Sequence, residues 1–296
     1  MPAAAAHRTE AEYRALLQTY SQGINVRLQC FADTVPSAKQ STTRTHQPLD
    51  ALWESHLDGL IVTGAEPRAG SIAEEPLLAL LRQVVVWGAQ HTKSVMFSCF
   101  AAHAAVWCID GIARRPLAQK LSGVFTTYKT ANHRLVAGMP DQWVVPHSRH
   151  NTLDEMSLRA GGYHILSSSP QLNADIFSKR HGVSEFVFLQ GHPEYGPEVL
   201  LSEYSRDVRR FIDGSSPNSP RWPENYLGDL EQGSPVLTND VDPRIMKNEL
   251  TRLKLATERS LDHPWHDAAA RLMAGWLSLV APQEHHTAQM VSQCTT

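Results

Sequence analysis

Val95-Met96-Phe97-Ser98 runs through Cys99 into Phe100-Ala101-Ala102-His103-Ala104-Ala105 with no turn-forming residue between. The first four residues read as a short buried strand, and Phe100 to about Ile109 as an alanine-rich helix. A strand that passes straight into a helix leaves a sharp junction, and the side chain there is lifted above the sheet edge at the helix N-terminus. That residue is Cys99. The positive helix end favours thiolate over thiol, so the feature that constrains the fold also suits a nucleophile. Taken alone, the stretch more often marks a structural cysteine, because free cysteine packs like a small apolar side chain.

The neighbouring segments extend the pattern. Thr9 to Tyr20 reads as a helix capped by Thr9, with Tyr13, Leu16, Leu17 and Tyr20 on one face, and Ile24 to Phe31 alternates like a strand. A polar loop over Ala32 to Pro48 and a helical turn around Leu49 to Glu54 lead to Leu57–Thr63, a buried strand ending in Gly64-Ala65-Glu66-Pro67. Glu74 to Ala89 is the next helix. This alternation predicts an α/β fold with a doubly wound, mostly parallel sheet flanked by helices. Short strands follow at Gly123–Tyr128, Tyr163–Ser168, Ala174–Ser178 and Glu185–Leu189, with Val145 to His150 read as a polar loop. Glu198 to Ile212 reads as a helix, Asp213 to Asp242 as a covering loop, and two C-terminal helices run over about Arg244–Glu258 and Pro264–Val280. The expectation is one domain over 1–281, with its core in 9–226, its C-terminal helices in 243–281 and a disordered tail at 282–296.

Composition narrows the class. The chain has 296 residues, enough for a large core, and a net charge of −3, which gives no basic face for nucleic acid. No apolar run reaches membrane-spanning length, and the N-terminus lacks the hydrophobic segment of a secretory signal. Cys30, Cys99, Cys108 and Cys294 show neither metal-type nor disulfide-framework spacing, so a reducing cytoplasm is expected. His147, His150 and His192 lack a carboxylate or cysteine at ligand spacing, so no metal site is expected.

A cysteine nucleophile needs a base, and the base an orienter. His192 and Glu194 stand two apart just past a predicted strand, where an extended chain points both the same way. Pro193 stiffens the pair. Cys99, His192 and Gly64-Ala65 all fall at the C-terminal edge of a parallel sheet, where sites form. The backbone N–H groups of Phe100 and of Gly64 or Ala65 would make an oxyanion hole.

Six stretches in order resemble the homoserine O-succinyltransferase (homoserine transsuccinylase) family, within the class I glutamine-amidotransferase-like superfamily and its flavodoxin-like architecture. They are Asp58–Ala65, Phe97–Ala105, Lys120–Phe125, Pro146–Arg149, Gly191–Tyr195 and Glu203–Val208. The resemblance implies that Cys99 accepts the acyl group, His192 is the base and Glu194 its orienter. Lys120, Ser148, Glu203 and Arg206 match positions lining the family's substrate pocket; Arg206 suits a substrate carboxylate and Glu203 an ammonium. It further implies a homodimer with no resident cofactor, using succinyl-CoA as co-substrate and L-homoserine as acceptor in methionine biosynthesis.

The chain departs from the family at several points. Phe100 and His103 replace the usual Trp and Gln, and His103 brings a second titratable group towards the nucleophile. Arg68 stands where succinyl-type members carry Gly and acetyl-type members Glu; it suits the free carboxylate of a succinyl group, while Glu66 nearby is a rival acetyl-type blocker. His266 and Ala268 follow Trp265 in place of the family's Arg and His, and the family usually begins with a strand before its Met-Pro motif, so either that strand is absent here or the start codon lies upstream of Met1-Pro2. Acetyl-CoA as donor, L-serine as acceptor, a glutamine amidotransferase-like thiol hydrolase and a non-enzymatic binding protein remain alternatives.

Overall fold

The computed structural model describes residues 3–19, 24–32, 47–226 and 263–281. In chain order, α1 (Ala3–Thr19) precedes the two-residue strands β1 (Phe31–Ala32) and β2 (Gln47–Pro48) and the single turn α2 (Asp50–Trp53). Then come β3 (Gly59–Val62), α3 (Leu78–His91), β4 (Ser94–Ser98), α4 (Phe100–Asp110), β5 (Arg115–Lys129), β6 (Gln142–Thr152) and α5 (Glu155–Ala160). The remainder is β7 (His164–Ser169), β8 (Asn173–His181), β9 (Ser184–Leu189), α6 (Val199–Ile212) and α7 (His266–Val280).

Seven strands form one sheet in the order β3-β4-β9-β8-β7-β5-β6. Its two faces bury different helices. Val95, Phe97, Phe186 and Phe188 pack with α3 and α4, whereas Met96, Val187 and Leu189 pack with Tyr13, Leu16 and Leu17 of α1 and with α7. Strands covered on both faces read as continuous apolar runs, which is why β4 and β9 are legible as strands.

The α/β class stands, with one correction: the sheet is mixed rather than mostly parallel. Among the described strands of this sheet, parallel ladders are β3–β4 and β4–β9, and the other ladders are antiparallel. The connections decide this. A parallel pair needs a crossover of a dozen residues or more, supplied by α3 between β3 and β4. Between β8 and β9 stand only Gly182 and Val183, with Gly182 at φ +61°, and a two-residue loop forces a hairpin.

Other elements also differ from expectation. The helix at the N-terminus begins at Ala3 rather than at a Thr9 cap, because the alanine run propagates it. Ile24 to Cys30 alternates in burial and packs Ile24, Val26 and Leu28 on the core, yet forms no ladder; only Phe31 and Ala32 pair. Pro76 divides the helix expected over Glu74–Ala89 into a 3-10 turn (Ile72–Glu74) and α3. Val145 to His150 is strand, not loop. It belongs to β6, an edge strand of the sheet, where Pro146 costs no inner ladder bond. The helix read over 244–258, Tyr20 and the tail after 282 lie outside the described residues.

Candidate active site

Cys99 sits between β4 and α4 at φ 50° and ψ −112°. An L-residue held there stores about 1–3 kcal/mol of strain. The junction survives because both sides over-determine it. Cys99 N–H donates to Leu189 O at 2.7 Å, extending the β4–β9 pairing, and its carbonyl accepts from His103 N at 3.2 Å to start the helix. The first N–H groups of α4 are left without intrahelical acceptors. Gly64 lies against this elbow: a Cβ there would stand 3.1 Å from Ser98 O and 3.3 Å from Phe100 N. The structure thus brings Gly64 and the Phe100 amide together beside Cys99, as the reading of an oxyanion pocket requires, with Ala65 next along the same loop.

His192 and Glu194 meet differently from expectation. They lie in a β-turn, not an extended segment, closed by Tyr195 N–H donating to His192 O at 3.1 Å, with Pro193 at the position that fits its fixed φ. His192 Nδ1 is 2.8 Å from Glu194 Oε1, and both side chains are buried. The imidazole also interacts with Cys99, and that side falls to Nε2 because Glu194 holds Nδ1. Burial alone would lower the imidazole pKa, but Glu194 and Cys99 together push it well above the ordinary histidine value. The site therefore favours imidazolium beside sulfur. Tyr195, to which sequence reading assigned no role, stacks on the His192 ring at 4.2 Å between centroids and donates from its hydroxyl to Glu203 Oε1 at 3.1 Å. Trp265 Nε1 in turn donates to Tyr195 O at 2.7 Å, tying α7 to the turn.

Glu203 is the hub of the expected substrate-binding residues. It also accepts from Ser148 Oγ, and Lys120 Nζ lies 3.7 Å away. Lys120 is closer to Asp207, at 2.6 Å, and Arg206 pairs with Asp207 at 3.0 Å. Glu203, Arg206, Asp207 and Arg210 share one side of α6 by their spacing. Sequence reading left Asp207 out. Burial pulls its pKa up, and Lys120 and Arg206 more than reverse this, so it stays ionised. Glu203 is thus engaged by Ser148 and Tyr195, and Arg206 by Asp207. Arg68 is exposed on the loop after β3, and its backbone N–H donates to Glu75. Glu66 is taken by Arg210 through two contacts, one of them 3.0 Å, and that hydrogen bonding lowers its pKa.

Strand alternation in β6 separates its polar residues. Ser148 and His150 share one face, and His147 and Arg149 the other. His150 is exposed to solvent near Lys120, Asp207, Glu66 and Arg206, and desolvation chiefly lowers its pKa. His147 is fully buried, with Nε2 3.3 Å from Asp175 Oδ1, and Arg149 donates to His147 Nδ1 and to the carbonyls of Asn151 and Leu172. His103 does not bring a working titratable group to Cys99. It is buried against Gln190 Oε1 at 3.0 Å, and burial lowers its pKa to about 3, so it is neutral. Among the described residues, no three His, Cys, Asp or Glu side chains gather as metal ligands.

An α/β sheet with a strained cysteine elbow, a buried His–Glu pair and an ionic cluster joined to that pair through Tyr195 defines the class of protein. The family model for homoserine O-succinyltransferase matches residues 1–287, and the chain belongs to that family. It is 41% identical over 292 residues to the homoserine O-succinyltransferase of Methylorubrum extorquens, covering 95% of this chain and 85% of that one. Its likeness to the enzyme of the same name from Rhodopseudomonas palustris is 38%, over 96% and 86% of the two chains. A glutamine amidotransferase structure from Thermotoga maritima aligns with TM-score 0.43 and 15% identity, over 81% of this chain and 83% of that one; at that distance it says nothing of the reaction.

Proposed function

We propose that this protein moves a succinyl group from succinyl-CoA to the hydroxyl of L-homoserine through a thioester on Cys99. The observation that carries the reading is Cys99 at a strained elbow, with the buried His192–Glu194 pair interacting with it and the first amides of α4 beside it. His192 takes the thiol proton, and the thiolate attacks the thioester carbonyl. The tetrahedral oxyanion forms against the amides of Phe100 and Gly64 or Ala65. Its collapse breaks the bond to the CoA sulfur, which leaves with the proton held on His192. Homoserine then enters, His192 removes its hydroxyl proton, and the alkoxide attacks the acyl carbon and expels the Cys99 thiolate, which regains that proton. Glu194 holds the imidazole throughout. Kinetics are ping-pong.

Glu203, with Ser148, suits the ammonium of the acceptor, and Arg206 with Lys120 suits its carboxylate. Arg68 is exposed and free to meet the free carboxylate of the succinyl group. The group donor is a co-substrate, and the scheme calls for no resident cofactor. Family membership is the ground for placing the reaction in methionine biosynthesis, in the cytoplasm and in a homodimer. No helix among the described residues is long and apolar enough to cross a membrane.

Intact-protein mass after mixing with succinyl-CoA or acetyl-CoA, without acceptor, tests the scheme. We expect a succinyl adduct on Cys99 that L-homoserine discharges, and loss of both adduct and turnover in Cys99→Ala. An acetyl adduct alone overturns the donor. Normal turnover in Cys99→Ala overturns the mechanism.

A further inference from the structure

Tyr13 Oη, Ser98 Oγ and Glu194 Oε2 are buried polar atoms, and none has a hydrogen bond of regular geometry among the described residues. They face one another, for the Tyr13 phenol interacts with both the Ser98 hydroxyl and the Glu194 carboxylate. A buried polar atom left unpaired costs about 1–3 kcal/mol, so three such atoms around one phenol have a physical reason to pair with one another. Burial and then the Glu194 charge push the phenol pKa well above its ordinary value. A phenol that keeps its proton can donate to the carboxylate and accept from the Ser98 hydroxyl. The placement is anchored independently. Glu12, the preceding residue, accepts from Gly196 N at 3.3 Å, two residues beyond Glu194, and the Tyr13 ring packs in the core with Met96 and Leu189.

We propose that Tyr13 is a positioning residue for the reaction: its hydroxyl links Ser98, the residue before the nucleophile, to the far oxygen of Glu194, and so fixes the orienter of His192 relative to Cys99. The inference rests on the roles proposed for Cys99, His192 and Glu194. One oxygen of Glu194 holds His192 and the other accepts a hydrogen bond from the Tyr13 hydroxyl, so the phenol both locks the carboxylate plane and draws off part of its charge. Without it, the carboxylate charge falls undivided on His192. The imidazolium then holds its proton more tightly and returns it less readily to the leaving group.

Tyr13→Phe keeps the ring in the core and removes only the hydroxyl. Two readouts decide: steady-state succinyl transfer, and the pH profile of Cys99 alkylation by iodoacetamide, resolved by peptide mass. We expect kcat to fall about tenfold with KM within about twofold. We also expect the alkylation midpoint to move about half a unit or more to lower pH, since a better-held imidazolium stabilises thiolate. Ser98→Ala should move both in the same direction by less. In a Glu194→Gln background, Tyr13→Phe should add nothing, because its effect passes through that carboxylate. An unmoved alkylation profile, a shift to higher pH, or an equal loss in the Glu194→Gln background overturns the proposal. If wild-type protein forms no acyl adduct, the functional reading fails, and the alkylation profile still decides the role of Tyr13.

Discussion

The parallel and antiparallel parts of the sheet divide the work of the site. β3, β4 and β9 run parallel, and the chain leaves their C-terminal ends as Gly64, Cys99 and the His192–Glu194 turn. This part offers backbone: a strained junction, free amides, and a turn fixed by proline. β5 and β6 form an antiparallel pair, with Ser122 opposite Ser148 and Leu121 opposite Arg149, and offer side chains sorted by alternation. Ser148 faces the pocket and Arg149 the interior. A parallel edge concentrates loop geometry at one rim, whereas an antiparallel ladder presents a patterned wall. On the proposed mechanism the chemistry belongs to the first and recognition to the second.

The largest test of that division sets one residue of the rim against one of the wall. His192→Asn should lower kcat by about 10³-fold while leaving KM within a few-fold, because it removes the proton carrier and little binding. Glu203→Gln should raise KM for the amino-acid acceptor by about tenfold or more and leave kcat within a few-fold, because it removes a charge that meets substrate in ground and transition states alike. Steady-state kinetics in both substrates separate the two. A Glu203→Gln variant that loses mainly kcat would break the division, and would make Tyr195, which touches both His192 and Glu203, the link between halves.

The same division governs what a reader of the sequence can see. The Cys99 elbow is legible because buried strand and helix abut with nothing between them, and β3, β4 and β9 are legible as apolar runs. β6 is not, since Pro146, His147, Ser148, Arg149 and His150 carry the composition of a loop; only their place on a sheet edge makes them strand. Ser148, Lys120 and Glu203 enter through the family resemblance alone, because a serine on a polar stretch and a lysine on a strand carry no signal of their own. Tyr13 reads as one more apolar contact at helical spacing with Leu16 and Leu17. Its ring is that, but the proposed link from its hydroxyl runs to a carboxylate far along the chain, and no local pattern encodes such a link. Asp207 is missed for a related reason: a carboxylate beside Arg206 on a helix looks like solvated surface until Lys120 is seen to reach it.

Two glycines sharpen the comparison at the level of stability. Gly123 on β5 has φ +146°, and a Cβ there would lie 2.3 Å from Glu224 O and 2.6 Å from Glu224 N, where the Glu224 segment hydrogen-bonds along the strand. Gly123→Ala combines a disfavoured φ with a backbone clash and should cost about 2–4 kcal/mol, read as a lowered denaturation midpoint. Gly64→Ala meets Ser98 O and Phe100 N at 3.1 and 3.3 Å, a closeness the loop can relieve by a few tenths of an ångström. It should cost about 1 kcal/mol or less in stability yet lower kcat at least tenfold, because the relief comes at the amides beside Cys99. If both variants lose stability equally and Gly64→Ala keeps its kcat, the loop after β3 is scaffold and not part of the site.

The smallest effect concerns α1, which spans the two parts of the sheet from beneath. Burial pushes the Glu12 pKa up to about 7, partly opposed by the hydrogen bond from Gly196 N and reinforced by the charge of Glu194. A carboxyl whose pKa is higher folded than unfolded binds more protons in the folded state between the two values. Its stabilising contribution is therefore complete below the unfolded value of 4.5 and is lost as pH rises through about 7. Glu12→Gln keeps an oxygen acceptor for Gly196 and removes the titration. Discounted for the solvent that reaches a partly exposed group, it should make the protein about 1–2 kcal/mol more stable than wild type at pH 8 and no more stable at pH 4.5. Denaturant titrations at the two pH values check this. A wild-type stability that does not fall across that window would mean that Glu12 is ionised throughout, and that the negative charge of α1 stands permanently beside Glu194. In that case α1 would act on the His192–Glu194 turn by repulsion as well as by the Gly196 bond, and the rim would owe part of its geometry to a helix outside the sheet.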